Sequence, residues 1–293
     1  MTTTRETRPW RITVLISGSG SNLQAILDAT ASTSTLADCT VTAVLSSRSD
    51  AYGLTRARST QPTPTPAEAF PLLRWKKLAG NELKQRRDWE RLLAEKIRNT
   101  KPDIVVLAGW MLILGPEFLR DLTRDWDEHD DAQTNAVPAV DSTPCCDPAN
   151  HRVGAGLATP GASPYTLPAH ELRGRPIPII NLHPALPGQF PGAHAIQDAY
   201  AAFNDGKIAH TGLMIHRVIP ELDAGEPVVV RNVEIKRGEP IEDLETRIHQ
   251  VEHDAIVEAV RRVVDLAKDG TWWQETEKHA QEELEGEQRP ALS

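Results

Sequence analysis

The sequence predicts an α/β fold: a mostly parallel twisted sheet with helices on both faces and an antiparallel hairpin near the C-terminal half. Three observations carry this prediction. Short β-branched runs, RITVLI (11–16), CTVTAVLSS (39–47) and PDIVVLAG (102–109), each end in Gly, Ser or a turn cluster. The segments between them have helical spacing, so successive strands are joined by crossovers and run parallel. Two later runs, GLMIHRV (212–218) and EPVVVRNVEI (226–235), flank a short acidic turn, the pattern of an antiparallel pair.

Each element follows in chain order. A helix over Asn22 to Ala31 connects the first two strands, and a longer one over Glu82 to Asn99 sets charges on one face against Trp89, Leu92, Leu93 and Ile97 on the other. Between them QPTPTPAEAFP (61–71) is expected to lack regular structure, because its prolines interrupt helix and strand alike. A third, shorter helix covers Pro116 to Leu122, and the half from 11 to 124 reads as a Rossmann-like, phosphate-binding half. From 125 to 175 periodicity vanishes and Pro, Gly, Ala, Asp and Thr dominate, so this stretch reads as a disordered insertion into a single domain spanning 1–293. IPIINLH (177–183) resumes the strand pattern, AHAIQDAYAAFNDG (193–206) reads as a helix closing on glycine, and a long helix from Ile241 to Lys268 completes a catalytic half over 176–268. Residues 269–293 read as a charged, loosely attached tail that begins with two tryptophans.

Composition narrows the function. Of 293 residues 40% are hydrophobic, enough for a sizeable core. The 41 acidic against 32 basic residues give a net charge of -9, which argues against a nucleic-acid partner. The three cysteines, Cys39, Cys145 and Cys146, form neither a disulfide framework nor a metal spacing, so no metal is expected and a reducing compartment fits. No stretch approaches the roughly 18 consecutive apolar residues of a membrane span, so no membrane partner and a cytoplasmic location are expected. Oligomeric state is not legible.

Three stretches carry chemistry. SGSGSNLQA (17–25) is a Gly/Ser turn between a buried strand and a helix, where outward backbone N–H groups and the helix dipole suit a phosphate. It matches neither G-x-G-x-x-G nor a P-loop, and a plain βα turn capped by Ser or Asn also fits it. INLHPALPG (180–188) ends a strand with Asn181 and His183 where open α/β sheets place ligands. A carboxamide donor and an imidazole together can stabilise charge on the oxygen of an attacked carbonyl. ELDAGEP (221–227) is an acidic turn whose Asp223 can face that imidazole and raise its pKa, or can serve turn geometry alone.

SGSGSNLQA, PDIVVLAGWMLIL, INLHPALPG, ELDAGEPVVV and RIHQVEHDAIVEAV, in that order, resemble the phosphoribosylglycinamide formyltransferase family, in a fungal-type monofunctional form, over about 11–124 and 176–268. The resemblance implies the formyltransferase fold. It also implies transfer of a formyl group from 10-formyltetrahydrofolate, the co-substrate, to the amine of glycinamide ribonucleotide in purine synthesis. By position it implies that Gly20, Ser21 and Asn22 hold the substrate phosphate, that Glu252 binds the same substrate, and that Asn181, His183 and Asp223 are catalytic. Asn181 and a protonated His183 would hold the developing oxyanion, with Asp223 keeping the imidazole charged. Arg91, Met111, Leu112, Ile113, Leu114 and Asn181 would contact the folate. Other formyl chemistries share the Asn-His-Asp set, namely a formyltetrahydrofolate hydrolase and a methionyl-tRNA formyltransferase. The phosphate seat weighs against both, and the acidic balance weighs against the tRNA enzyme. Intact Asn181, His183 and Asp223 weigh against an inactive binding module on the same fold.

Overall fold

The computed structural model describes residues 8–31, 33–76, 82–123 and 176–274. The expected insertion at 125–175 and the chain beyond 274 lie outside the described residues. Strands β1 (Trp10–Ile16), β2 (Cys39–Ser46), β3 (Ala67–Ala69), β4 (Ile104–Leu107), β5 (Ile179–His183), β6 (Thr211–Arg217) and β7 (Pro227–Val233) form one sheet in the order β3-β2-β1-β4-β5-β6-β7. The first five pair in parallel, and β5-β6 and β6-β7 are antiparallel. Helices α1 (Ser21–Ala29), α2 (Gly53–Arg58), α3 (Leu72–Lys76), α4 (Glu82–Asn99), α5 (Pro116–Thr123), α6 (Ala195–Asn204) and α7 (Ile241–Asp269) surround it.

Strand alternation sorts the core into two layers. Leu15, Leu45, Val105, Leu107 and Ile179 share one cluster with Trp89, Leu93 and Ile97 of α4 and Phe118 and Leu122 of α5. The intervening positions, among them Val14, Ile16, Val44, Ile104, Val106 and Ile180, are equally buried on the opposite face. On that side α1 and α7 pack together and α7 reaches β4, β6 and β7. Burial on both faces is why these strands read as continuous apolar runs. α7 begins with Glu242 and Asp243, carries Lys268 in its last turn and stops at Gly270 with φ 82°, so acid, base and glycine each sit at the helix end they favour.

Two expectations need correction. The proline-rich stretch does contain a strand: Ala67–Ala69 pairs with Val44–Ser46 at the sheet edge. Pro62, Pro64 and Pro66 all precede it, and an edge position tolerates their missing donors. The tryptophan pair opening the tail is docked rather than loose. Trp272 and Trp273 are buried, Trp273 Nε1 donates to Pro176 O at 2.8 Å, and the Arg217 guanidinium lies 3.5 Å from the Trp272 ring centre. Helices α2 and α3, six and five residues long, were too short to show a helical period.

β1 leads to β2 on one side and β4 lies on its other side, so the strand order reverses between β1 and β4. At such a switch point the loops after the two strands diverge and leave a crevice beyond their carboxyl ends.

Candidate active site

That crevice is a cleft of about 630 Å³ lined by the loops after β1, β4, β5 and β6 and by one face of α7. Its first wall is the turn Ser17 to Gly20. Gly20 has φ 72°, and a Cβ there would come within 2.6 Å of Gly53 Cα, so glycine is required for the turn to pack on α2. Arg56 Nε donates to Ser19 O at 2.9 Å and ties the turn to α2. Gly20 is the N-cap of α1 with no side-chain cap, so no side chain competes for the helix N-terminus. Asn22, one residue into α1, is buried; its Nδ2 donates to Glu252 Oε2 of α7 at 2.8 Å, and its Oδ1 has no partner among the described residues. Arg48, which pairs with Asp50 at 2.7 Å, is the one Lys or Arg among the described residues lining the cleft.

The second wall follows β4. Met111 and Ile113 are exposed hydrophobic side chains, 56% and 62% accessible, and with Leu112 and Leu114 they line the cleft, which makes it an apolar surface without a protein cover among the described residues. Ser17 Oγ accepts from Met111 N at 2.9 Å, and Arg86 of α4 bonds Ile113 O and, at 2.7 Å, Glu90 Oε1. Arg91, the arginine assigned here from sequence, is exposed on α4 and does not line the cleft. Arg86, five residues earlier, is the one that touches this wall. Five residues correspond to about 140° around a helix, so the two arginines occupy different faces.

The centre is built by β5 and β6. Asn181 and His183 are two apart on a strand and therefore on one face. Antiparallel register sets His216 of β6 directly opposite Asn181, bringing a second imidazole to the same face. Asp223 comes from the turn after β6 with φ 52°, a left-handed conformation uncommon outside glycine that aspartate tolerates better than most residues. Its Oδ2 accepts from Gly192 N at 2.9 Å and lies 3.4 Å from His183 Nδ1. Its Oδ1 accepts from Asn181 Nδ2 at 3.3 Å and lies 3.6 Å from His216 Nε2. Gly225 permits this closure, because a Cβ there would come within 1.8 Å of Arg217 O. The structure thus brings Asn181, His183 and Asp223 together, and adds His216, which sequence reasoning missed.

Electrostatics departs from expectation at one group. Burial pushes the His183 imidazole below its ordinary pKa, while the Asp223 charge and the backbone of Gln189 and Phe190 pull it up without prevailing. The upward shift expected from Asp223 alone is therefore overturned by desolvation. Burial also acts to raise Asp223, but His216, the Gly192 N–H and His183 together hold its carboxyl below the ordinary value. The outcome is an ionised carboxylate beside a largely neutral imidazole whose Nε2 is buried without a partner among the described residues.

A family model described as formyl transferase matches residues 10–125 and 166–260. The chain belongs to the formyl transferase family. Among curated relatives, phosphoribosylglycinamide formyltransferase of Schizosaccharomyces pombe is 40% identical over 86% of this chain and 96% of its own length. The Saccharomyces cerevisiae protein of the same name is 36% identical over 87% of this chain and 97% of its own. The crystal structure of glycinamide ribonucleotide transformylase 1 from Geobacillus kaustophilus superimposes with a TM-score of 0.58 at 27% identity, covering 87% of this chain and 99% of that one. Membership of the formyl transferase family accords with the fold read from sequence, and the identity to the two fungal relatives accords with the fungal-type resemblance. In this formyl transferase the signal for His216 was a lone polar residue in the apolar run GLMIHRV, but only the β5-β6 register shows what it faces.

Proposed function

We propose that this protein transfers the formyl group of 10-formyltetrahydrofolate to the free amine of glycinamide ribonucleotide, giving formylglycinamide ribonucleotide and tetrahydrofolate in purine biosynthesis. The observation that carries this reading is one cleft joining an uncapped helix N-terminus, an apolar wall and a polar group of Asn181, His183, His216 and Asp223. The phosphate would sit on the Gly20–Asn22 backbone, with Arg48 as the nearby cation. Asn22 and Glu252 present acceptor oxygens beside it, which suit the hydroxyls of a sugar. Met111 to Leu114 would line the part of the cleft that takes the folate, packing on the faces of its rings, and the exposed Leu222 lines the same cleft.

The chemistry follows from the protonation states. A neutral His183 can accept the proton that the amine sheds as its nitrogen bonds to the formyl carbon. The resulting imidazolium then stands beside the new oxyanion and opposite Asp223, which stabilises it at 3.4 Å. Asn181 offers a hydrogen to the same oxygen by releasing one of its two contacts. Collapse breaks the bond to the folate nitrogen, and that nitrogen takes the proton back from His183. Burial that keeps the imidazole neutral at rest thus prepares it as the base, and Asp223 acts once it is charged.

The test mixes purified protein with 10-formyltetrahydrofolate and follows tetrahydrofolate release with and without glycinamide ribonucleotide. Release that requires the ribonucleotide is expected; release at the same rate without it would reassign the site to hydrolysis.

A further inference from the structure

Asn181 is the group on which oxyanion stabilisation turns, yet nothing covalent fixes the rotation of its carboxamide. Two contacts do so. One Nδ2 hydrogen goes to Asp223 Oδ1 at 3.3 Å, and the other faces His216 Nε2 at 3.1 Å. An amide nitrogen has two hydrogens, so these contacts account for both.

The second contact depends on the tautomer of His216. Its Nδ1 lies 2.8 Å from Arg217 O, and a carbonyl oxygen only accepts, so Nδ1 carries a hydrogen, and in the ring with that single hydrogen Nε2 is the acceptor. The ring is 2% exposed and boxed in by the Gly225 turn, whose absent Cβ would lie 3.3 Å from Nδ1. The carbonyl that sets the tautomer belongs to a residue anchored by its own side chain, since Arg217 Nη1 donates to Trp272 O at 3.0 Å. Turning the carboxamide over would place its oxygen against Asp223 Oδ1, acceptor on acceptor, so the arrangement admits one orientation.

We infer that His216 is a positioning residue for formyl transfer: as a fixed Nδ1–H tautomer it takes one hydrogen of Asn181 and holds the carboxamide in register with His183 and Asp223. It touches no reacting atom, and its effect runs through Asn181. The inference rests on the formyl-transfer reading for its kinetic consequence, but the tautomer and the amide contact stand apart from it.

The test compares His216→Phe with His216→Gln. Both lose the ring Nδ1–H that Arg217 O accepts, so that loss is common to the two. Glutamine reaches about as far as Nε2 and its amide oxygen can accept the Asn181 hydrogen; phenylalanine fills the space and cannot. With both substrates, the Phe variant is expected to lose about tenfold in kcat, with KM for either substrate within about twofold of wild type. The Gln variant is expected to recover most of that loss at a similar melting temperature. Selective 15N labelling of asparagine gives a second readout that needs no substrate. The two Asn181 side-chain protons should be well separated in wild type and in the Gln variant, and converge toward free-amide positions in the Phe variant. Equal kcat in Phe and wild type, or a Gln variant as slow as Phe, overturns the positioning role, as do Asn181 protons that ignore residue 216. If the wild-type protein transfers no formyl group, the functional reading fails instead, and the amide signals still decide the role of His216.

Discussion

Asp223→Asn removes one charge from the centre while sparing the backbone. The φ of 52° at this position disfavours alanine, whereas asparagine adopts left-handed conformations readily, so an Asn variant separates chemistry from strain in a way an Ala variant does not. The magnitude has two parts. An imidazolium at 3.4 Å from the carboxylate gains a gross attraction of about 5 kcal/mol at an effective dielectric near 20, and reorganisation of the surrounding dipoles reduces the net loss. The new NH2 must also face either Gly192 N–H or Asn181 Nδ2, each already a donor, leaving one buried donor unpaired at a cost of about 1–3 kcal/mol. Turnover is therefore expected to fall by roughly 10² to 10³ at pH 7.5, with ribonucleotide affinity by calorimetry unchanged, because the phosphate seat lies on other loops. Rapid-quench measurement of tetrahydrofolate formation gives kcat directly. A variant retaining half the wild-type kcat would refute the idea that Asp223 stabilises a charged His183 during transfer.

Other perturbations have separable outcomes. Glu252→Gln, at a buried carboxylate bonded to Asn22, should raise KM for the ribonucleotide about tenfold and leave kcat nearly unchanged, as steady-state kinetics at saturating folate would show. Trp272→Ala empties a buried site and strips Arg217 of its ring partner, so chemical denaturation should find a loss of about 3 kcal/mol. The pH dependence of stability follows from His183. Its folded pKa lies below the unfolded value of about 6.5, so the unfolded chain binds the proton first and stability declines as pH falls from 6.5 toward the folded pKa. His183→Asn should flatten this limb in urea titrations between pH 7 and 5, and an unchanged slope would locate the titrating group elsewhere. Asp223, whose folded pKa is depressed, contributes stability above about pH 4 that is lost at more acid pH, so the two effects separate.

The residues differ in how plainly they announced themselves. β1, β4 and β5 were legible because burial on both faces leaves an apolar run bounded by turns, and Asn181 and His183 stood out as polar residues two apart at the end of such a run. Asp223 was legible as a turn residue, though not the left-handed backbone that aims it. His216 was not, because its role depends on a cross-strand register that no local pattern fixes. Arg86 and Arg91 both sit on a helix legible from its apolar stripe, but which of two arginines meets the β4 loop is set by helix rotation in the packed core. The direction of the His183 shift needed burial as well as charge: sequence showed the attracting carboxylate and hid the desolvation that outweighs it. β3 was hidden by prolines that an edge strand tolerates, and the Trp272–Trp273 anchor by the charged residues that follow it.

The most direct measurement is a single turnover with 10-formyltetrahydrofolate labelled with 13C in the formyl group, excess enzyme and glycinamide ribonucleotide, read by 13C NMR. Formyl transfer at this site requires the label to appear as an N-formyl group on the ribonucleotide with wild-type protein, and to remain on the folate with His183→Asn. Label recovered as free formate, or transferred equally fast by both proteins, would contradict it.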